Sequence, residues 1–417
     1  MRYHKRYFMN IILSFFLACA SLVFLCSDAY AQGAISLFLD NETIVKGYRV
    51  VSADEGFSVT LRPKAVLHPT TMTIEAVAAQ KEAQERFPID PSLEFVSDIY
   101  VYDAHGIVPA DMRQPLIIEM KPALITPWTS IYFFDRQSQS WKRLASRPIT
   151  SDLLRASSPL PFAPIAVLAE KKSIGGVTVS SLLDSAHAVL VVDNRNTILV
   201  AKQARFQAPP ASITKLMTAL VFLEHNPGWK KKIAILPSDD AEPARIPFAK
   251  KEEVSVYDLF MGMLVGSNNN AAKALARSTG LSEKAFVSEM NAKAVRFKMY
   301  HTTFFDTSGL DVRNVSTVED VTRLAGFAFR QKDIMSALSV PSYRIKGHKR
   351  SYSVTTTNTL LVGSSSIKGK TGYIDESGYN FVGRAINKHG AVTVAVFGAS
   401  TSAERFDVIR KLLRLVQ

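Results

Sequence analysis

Cysteine is almost missing from this chain. Two occur in 417 residues, Cys19 and Cys26, and both lie in an apolar N-terminal run. If that run is removed on export, no thiol remains. A disulfide scaffold, a zinc–thiolate site and a cysteine nucleophile are then excluded. The eight histidines are scattered, with no His-Glu-x-x-His or comparable cluster, so neither a metal nor another cofactor is expected. There is no internal repeat and no collagen-like, coiled-coil or long disordered stretch. Zinc-finger spacing, an RNA-binding aromatic signature and an arginine-rich arm are absent too, which argues against nucleic acid as a partner. Acids are outnumbered, 37 against 50 Lys and Arg, for a formal charge of +13. A basic surface attracts anions; an anionic wall polymer or a membrane surface is the expected class. The densest basic run, "WKKKIAI", reads as a solvated strand edge.

The N-terminus reads as a leader. Arg2, Lys5 and Arg6 precede the apolar "YFMNIILSFFLACASLVFLC", and Ala29–Ala31 place small residues at a cleavage site. A signal peptide over residues 1–31 is expected. The alternative is an uncleaved anchor, because the apolar run is nearly long enough to span a bilayer. Asn10 and the Ala-x-Ala site favour cleavage. A lipid anchor at Cys19 or Cys26 fits its flanking residues poorly. Loss of the leader, with three basic residues and one acid, lowers the charge from +13 to +11. An exported chain free of thiols suits the periplasm or cell envelope, where a large core makes disulfide staples unnecessary.

Residues 32–172 read as a β-rich domain of unknown role. "FSVTLRP", "TMTIEAV", "SDIYVYDA", "PLIIEMKP", "SIYFFD", "SWKRL" and "PIAVLAE" are short β-branched and aromatic runs punctuated by turn residues. An antiparallel sandwich or barrel is expected, with Trp128, Trp141, Phe133 and Phe134 in its core. "EKKSIGGVTVSSL" (170–182) reads as a hinge. Residues 173–417 form the second domain, of α+β class. A hairpin turns at Asp193–Asn196. Helical segments follow, one pair broken at Gly266–Asn270, and another helix opens with capping-box spacing at Ser316 and Glu319. Three strands and an amphipathic helix close the chain. First and last strands are expected to share one antiparallel sheet beside the helices.

The stretch "QAPPASITKLMTAL" holds Ser212 and Lys215. A serine needs a base to become a nucleophile, and a lysine three residues on in a helix lies one turn away on the same face. Taken alone, the stretch is equally a helix capped by Ser212. Ser365 and Lys368 repeat the spacing and read as accidental. Two further motifs shift the balance. "GSNNN" holds Ser267 and Asn269 in the break between helices, and "KTG", Lys370–Thr371–Gly372, lies on an expected strand. They follow Ser212 in order, at 55 and then 103 residues.

Ser-x-x-Lys, Ser-x-Asn and Lys-Thr-Gly in this order resemble the penicillin-binding protein and serine β-lactamase superfamily. "ASITKLMTAL", "LFMGMLVGSNNNAAKALA", "DTSGLD" with "STVEDVTRLA", and "TNTLLVGSSSIKGKTGYIDESGYNFVG" are similar to blocks of the S11 family of D-alanyl-D-alanine carboxypeptidases. The likeness covers about residues 177–417. It implies a penicillin-binding fold, an antiparallel sheet flanked by helices, here preceded by an all-β sandwich-like domain. It implies a serine carboxypeptidase that removes the terminal D-alanine of peptidoglycan stem peptides and is trapped by β-lactams. Ser212 would be the nucleophile, Lys215 its base and Ser267 the proton relay. Asn269 would bind the substrate backbone, and Gly372 would let that backbone approach. Lys370 would keep the site electropositive. Thr371 and Arg405 would bind the terminal carboxylate, with a solvated helix-end charge as the other reading of Arg405. Backbone N–H groups of Ser212 and Tyr373 would form the oxyanion hole. Departures from the family pattern are Asn268 for a small residue, Asn270 for Asp, Ile374 for Thr, and Thr357 where some members have Arg. A DD-endopeptidase stays open as an alternative. So, more remotely, do a β-lactamase, despite the missing Glu-x-x-Leu-Asn segment, and a catalytically silent wall-binding protein.

Overall fold

The computed structural model describes residues 33–77, 85–171, 178, 181–182, 184–249, 251–361, 367–387 and 390–417. The expected signal peptide, most of the expected hinge, and Ser365 lie outside them. The described residues divide into two compact units. The first holds the residues up to Pro122, Ser130–Arg147 and Leu153–Ala169; the second holds Ala123–Thr129, Pro148–Asp152 and the chain from Glu170 to Gln417.

From Ile35 to Glu170 the chain is strand after strand. They are β1 (Ile35–Leu39), β2 (Tyr48–Val51), β3 (Phe57–Leu61), β4 (Thr70–Val77), β5 (Leu93–Phe95) and β6 (Ile99–Ala104). Then come β7 (Leu116–Met120), β8 (Thr129–Asp135), β9 (Ser140–Arg143), β10 (Ser146–Thr150), β11 (Leu153–Ser158) and β12 (Phe162–Glu170). One sheet runs β1-β4-β6-β12-β8-β9, with β5 beside β12; the other runs β10-β11-β7-β3-β2. Phe57 on β3 stacks on Tyr100 of β6 at 5.0 Å between centroids, so the inner faces of the sheets meet. Tyr102, wholly buried, donates or accepts at Ser158 Oγ (2.7 Å) and keeps its hydroxyl partnered inside this core. Phe134 and Trp141 are buried and pack edge-on at 5.4 Å, while Trp128 and Phe133 are half-buried. A short helix, α1 (Asn41–Lys46), interrupts the strands; the Asp40 carboxylate caps it by accepting from Thr43 N–H.

The second unit is built on a five-stranded antiparallel sheet. Its order is β14-β13-β21-β20-β19, from β13 (Ala188–Asp193), β14 (Ile198–Lys202), β19 (Lys368–Ile374), β20 (Gly378–Asn387) and β21 (Gly390–Ala399). First and last strands thus share one sheet. Val394 to Phe397 are buried in succession on β21, and side chains alternate across a strand, so both faces of the sheet are covered. The covering helices include α2 (Thr214–Glu224), α3 (Val256–Val265), α4 (Asn269–Ser278), α5 (Glu283–Arg296), α6 (Val318–Ala328), α7 (Lys332–Ala337) and α8 (Ser402–Leu415). α2 is buried from Thr214 through Phe222, on every face, which makes it the central helix. The cap of α6 differs from the expected one. Thr317, not Ser316, accepts from Asp320 N–H, because the Ser316 hydroxyl bonds Thr302 and Glu319 turns to Ser151, Arg205 and Arg323. Pairs β15 (Lys232–Ala234) with β16 (Glu253–Ser255), and β17 (Ser342–Lys346) with β18 (Ser351–Thr355), lie outside the main sheet. Lys230 to Lys232, at the start of β15, are exposed as expected of a strand edge. No helix among the described residues is long and apolar enough to cross a membrane, and no group of three or more His, Cys, Asp or Glu among them could hold a metal.

Candidate active site

Ser212 lies in a single 3₁₀ turn, Ala211–Ile213, that leads into α2. It does not cap the helix: neither Pro210 nor Ile213, at the two N-cap positions, makes a side-chain cap, and the Ser212 hydroxyl instead faces Lys215. Lys215 Nζ is 2.7 Å from Ser212 Oγ, 2.7 Å from Asn269 Oδ1 and 2.5 Å from the Ser308 carbonyl. Three acceptors around one buried amine hold it in a single position. Burial pushes Lys215 down to about 7, with the Asp306 carboxylate opposing that shift. An amine that is neutral for much of the time, hydrogen-bonded to a hydroxyl, is the arrangement that can take the serine proton.

A second hydroxyl–amine pair lies opposite. Lys370, on the edge strand β19, sets its Nζ 2.6 Å from Ser267 Oγ and 3.0 Å from the Thr371 carbonyl. Lys370 is held well below the usual ammonium range, first by burial and then by the charges of Lys215 and Arg405. Ser267 sits between α3 and α4 with φ of 59°. A non-glycine residue in that left-handed region carries strain, and here the strained backbone aims the hydroxyl at Lys370.

The other expected residues fall into the same neighbourhood, with altered detail. Asn269 gives its Oδ1 to Lys215, while Nδ2 donates to the Pro243 carbonyl at 2.5 Å. The Thr371 hydroxyl pairs with that of Thr357 at 2.5 Å. Gly372 leaves room for a close approach within the protein itself. A Cβ there would meet Pro210 O at 2.6 Å and Ser212 N at 3.3 Å, so the missing side chain lets β19 close on the serine turn itself. The Tyr373 ring is half-exposed and stacks on Tyr379 at 4.2 Å, with its hydroxyl on Asp375. Arg405 is not a solvated charge. It is buried, donates to the carbonyls of Gly372 and Asn380 (3.3 Å each) and to Ser402 Oγ, and lies over the rings of Tyr379 and Phe406. Burial lowers it to about 10, and its Nε has no partner among the described residues. Asn270 bonds both backbone groups of Ile246. Asn268 is buried, and its Oδ1 has no partner among the described residues.

Several contributors were not foreseen from the residues. The 306–314 loop is tied by Asp306, which accepts from Gly309 and Leu310 N–H, from the Ser308 hydroxyl and from Asn314. That loop offers the Ser308 carbonyl to Lys215 and the Thr307 carbonyl to Thr218. Gly309, at φ of 86°, packs where a Cβ would lie 2.0 Å from Ala211 O. The Asp and Gly of "DTSGLD" mark a turn; that its carbonyls reach a lysine 93 residues away leaves no trace in the sequence.

A family model described as D-alanyl-D-alanine carboxypeptidase (peptidase S11) matches residues 177–401. A D-alanyl-D-alanine endopeptidase from Haemophilus influenzae is 35% identical over 230 residues, 53% of this chain and 77% of the relative. The D-alanyl-D-alanine carboxypeptidase DacF of Bacillus subtilis is 28% identical over 280 residues, 65% of this chain and 70% of the relative. Penicillin-binding protein D2 of Listeria monocytogenes, solved in an ampicillin-bound form, is 31% identical, with a TM-score of 0.50 over 55% of this chain and 97% of that one. The family match takes in the Ser212 turn, the Ser267 break and β19, and it spans more than half of the sequence: the chain belongs to the S11 family of serine D-alanyl-D-alanine peptidases.

Proposed function

We propose that the protein is an exported serine hydrolase of peptidoglycan that cleaves the bond after a D-alanine through an acyl-enzyme on Ser212. The observation that carries this reading is the buried Lys215 amine, lowered to about 7, at 2.7 Å from the Ser212 hydroxyl. Lys215 takes the serine proton as Oγ attacks the carbonyl, and Ser267 passes a proton to the departing amine. Lys370 orients the Ser267 hydroxyl by donating to its oxygen. Backbone N–H groups of Ser212 and Tyr373 hold the developing oxyanion. Asn269 fixes Lys215, and its second amide hydrogen is directed to the substrate backbone. Thr371 receives the carboxylate, and Arg405 braces the strand that presents it through the Gly372 carbonyl. Water then releases the acyl group. β-Lactams acylate the same serine and leave slowly.

Two bonds meet this description. As a carboxypeptidase the enzyme removes a terminal D-alanine, the activity in the name of the Bacillus relative. As an endopeptidase it opens a cross-link, and the endopeptidase name of the relative at 35% identity favours that reading. The test has two stages. A fluorescent penicillin should give a covalent adduct that mass spectrometry places on Ser212 and that Ser212→Ala lacks; no adduct on Ser212 refutes the mechanism. Digestion of monomeric and cross-linked muropeptides then assigns the bond. Free D-alanine from monomers marks the carboxypeptidase, and monomers appearing from dimers mark the endopeptidase.

A further inference from the structure

The first unit has a feature that catalysis in the second does not use. The outer face of the sheet β10-β11-β7-β3-β2 is hollowed into a cavity of about 910 Å³. Four arginines line it, Arg49, Arg62, Arg147 and Arg155, against one carboxylate, Glu119. Strand register explains the arrangement. Arg155, Glu119 and Ser58 are opposite one another on β11, β7 and β3, and Arg49 lies one row on, opposite Thr60. Alternate residues Ala156, Ile118, Val59 and Val50 are buried on the inner face.

Glu119 is itself buried in the floor, and two guanidiniums close on it. Arg155 reaches it at 2.5 Å and Arg49 at 3.0 Å, while the Ser58 hydroxyl bridges Arg49 and the carboxylate. The carboxylate neutralises one charge and fixes the direction of two flat donors, whose remaining N–H groups are exposed. Arg62 and Arg147 are exposed and have no acidic partner among the described residues. The net excess of positive charge is therefore built on a rigid sheet. A second hollow of about 430 Å³ shares Arg49, Glu119 and Leu153, so the feature continues as a furrow along the sheet.

We propose that this furrow docks the carboxylate-bearing stem peptides of peptidoglycan, as an anchoring site apart from the one that cleaves them. The inference rests on the peptidoglycan reading above. Arginine forks match carboxylates two bonds at a time, and a concave furrow suits a peptide laid along it, where a lipid surface would meet only its rims. Docking holds the enzyme on an insoluble polymer between cleavage events and raises the local concentration of substrate.

The test measures pelleting of the full chain with purified sacculi, in a Ser212→Ala background so that nothing is cleaved. Arg62→Glu with Arg147→Glu, which leaves the Glu119 triad intact, should raise the apparent Kd roughly tenfold or more. Sacculi whose carboxylates have been amidated should bind the parent chain with a comparable loss. With Ser212 restored, the double variant should be acylated by fluorescent penicillin at the parent rate, which shows that it is folded. If it is not, Arg62→Gln with Arg147→Gln is read instead and should shift Kd in the same direction. Equal pelleting of parent and variant overturns the proposal, as does undiminished binding to amidated sacculi. Co-sedimentation with phosphatidylglycerol vesicles that the same two substitutions abolish would overturn it in favour of a membrane. Failure of the peptidase reading appears separately, as no penicillin adduct on Ser212 while sacculus binding persists.

Discussion

Lys215 has its amine where charge is unwelcome. It is wholly buried, and desolvation outweighs the Asp306 carboxylate that favours the ammonium. The sign of the pH effect follows. A lowered pKa of about 7 leaves Lys215 protonated and unable to accept a proton in acid, and neutral above it. The rate of acylation by a fluorescent penicillin should rise about tenfold per pH unit below 7 and level off above it. Lys215→Arg, charged at every working pH, should remove the rising limb and cost on the order of 10²–10⁴ in rate. A rate that is flat from acid to neutral pH would rule out Lys215 as the base. The Ser-x-x-Lys spacing made this pair legible. The amine's other neighbours were not, because one is the carbonyl of Ser308 and backbone atoms carry no residue-type signal. Arg405 shows the same limit: its place at the start of the last helix was readable, its burial under Tyr379 and Phe406 was not.

At the scale of elements, close approach between three segments shapes the site. The serine turn is met by β19 at Gly372 and by the 306–314 loop at Gly309, each where a Cβ would collide with backbone. Gly372→Ala should therefore move the edge strand away from Ser212. The expected result is an acylation rate lowered by roughly 100-fold, beside a stability loss of about 1–3 kcal/mol by thermal unfolding. An acylation rate unchanged in a folded variant would show that the spacing has slack. The sequence placed a glycine on this strand and assigned its smallness to substrate approach. The protein's own turn also needs that room, which could not be known before the strand and the turn were folded together. The cap of α6 was misplaced by one residue for a related reason. Ser316 and Thr317 are both good caps, and the choice fell to Thr317 because Ser316 is engaged by Thr302 across the fold.

At the scale of the whole molecule, each unit has its own core. Phe57 lies between the sheets of the first, against Tyr100 and Tyr102, and is almost completely buried. Phe57→Ala should cost about 3–5 kcal/mol in that unit. Calorimetry should show an early transition, while penicillin acylation of Ser212 at 25 °C should match the parent. Loss of acylation together with that transition would mean that the two cores do not unfold separately.

Some properties of this protein were set by its sequence directly. Short alternating runs specified a β-rich first part, because side chains on a strand have a period of two. Three motifs in order carried the resemblance to a serine peptidase family, and few residue types can activate a hydroxyl. The hairpin at Asp193–Asn196, the helix break at Ser267 and the closing strand trio were likewise local, and the structure has each of them. Tertiary structure decided what depends on distance through space. It buried Lys215 and so lowered its pKa, buried Arg405 against Tyr379 and Phe406, and brought the Ser308 carbonyl to the Lys215 amine. It also gathered Arg49, Arg147 and Arg155 from three strands, and Arg62 from just past the end of a fourth, into one furrow around Glu119. Desolvation, register and close approach belong to pairs of segments far apart in the chain, and no single segment holds them.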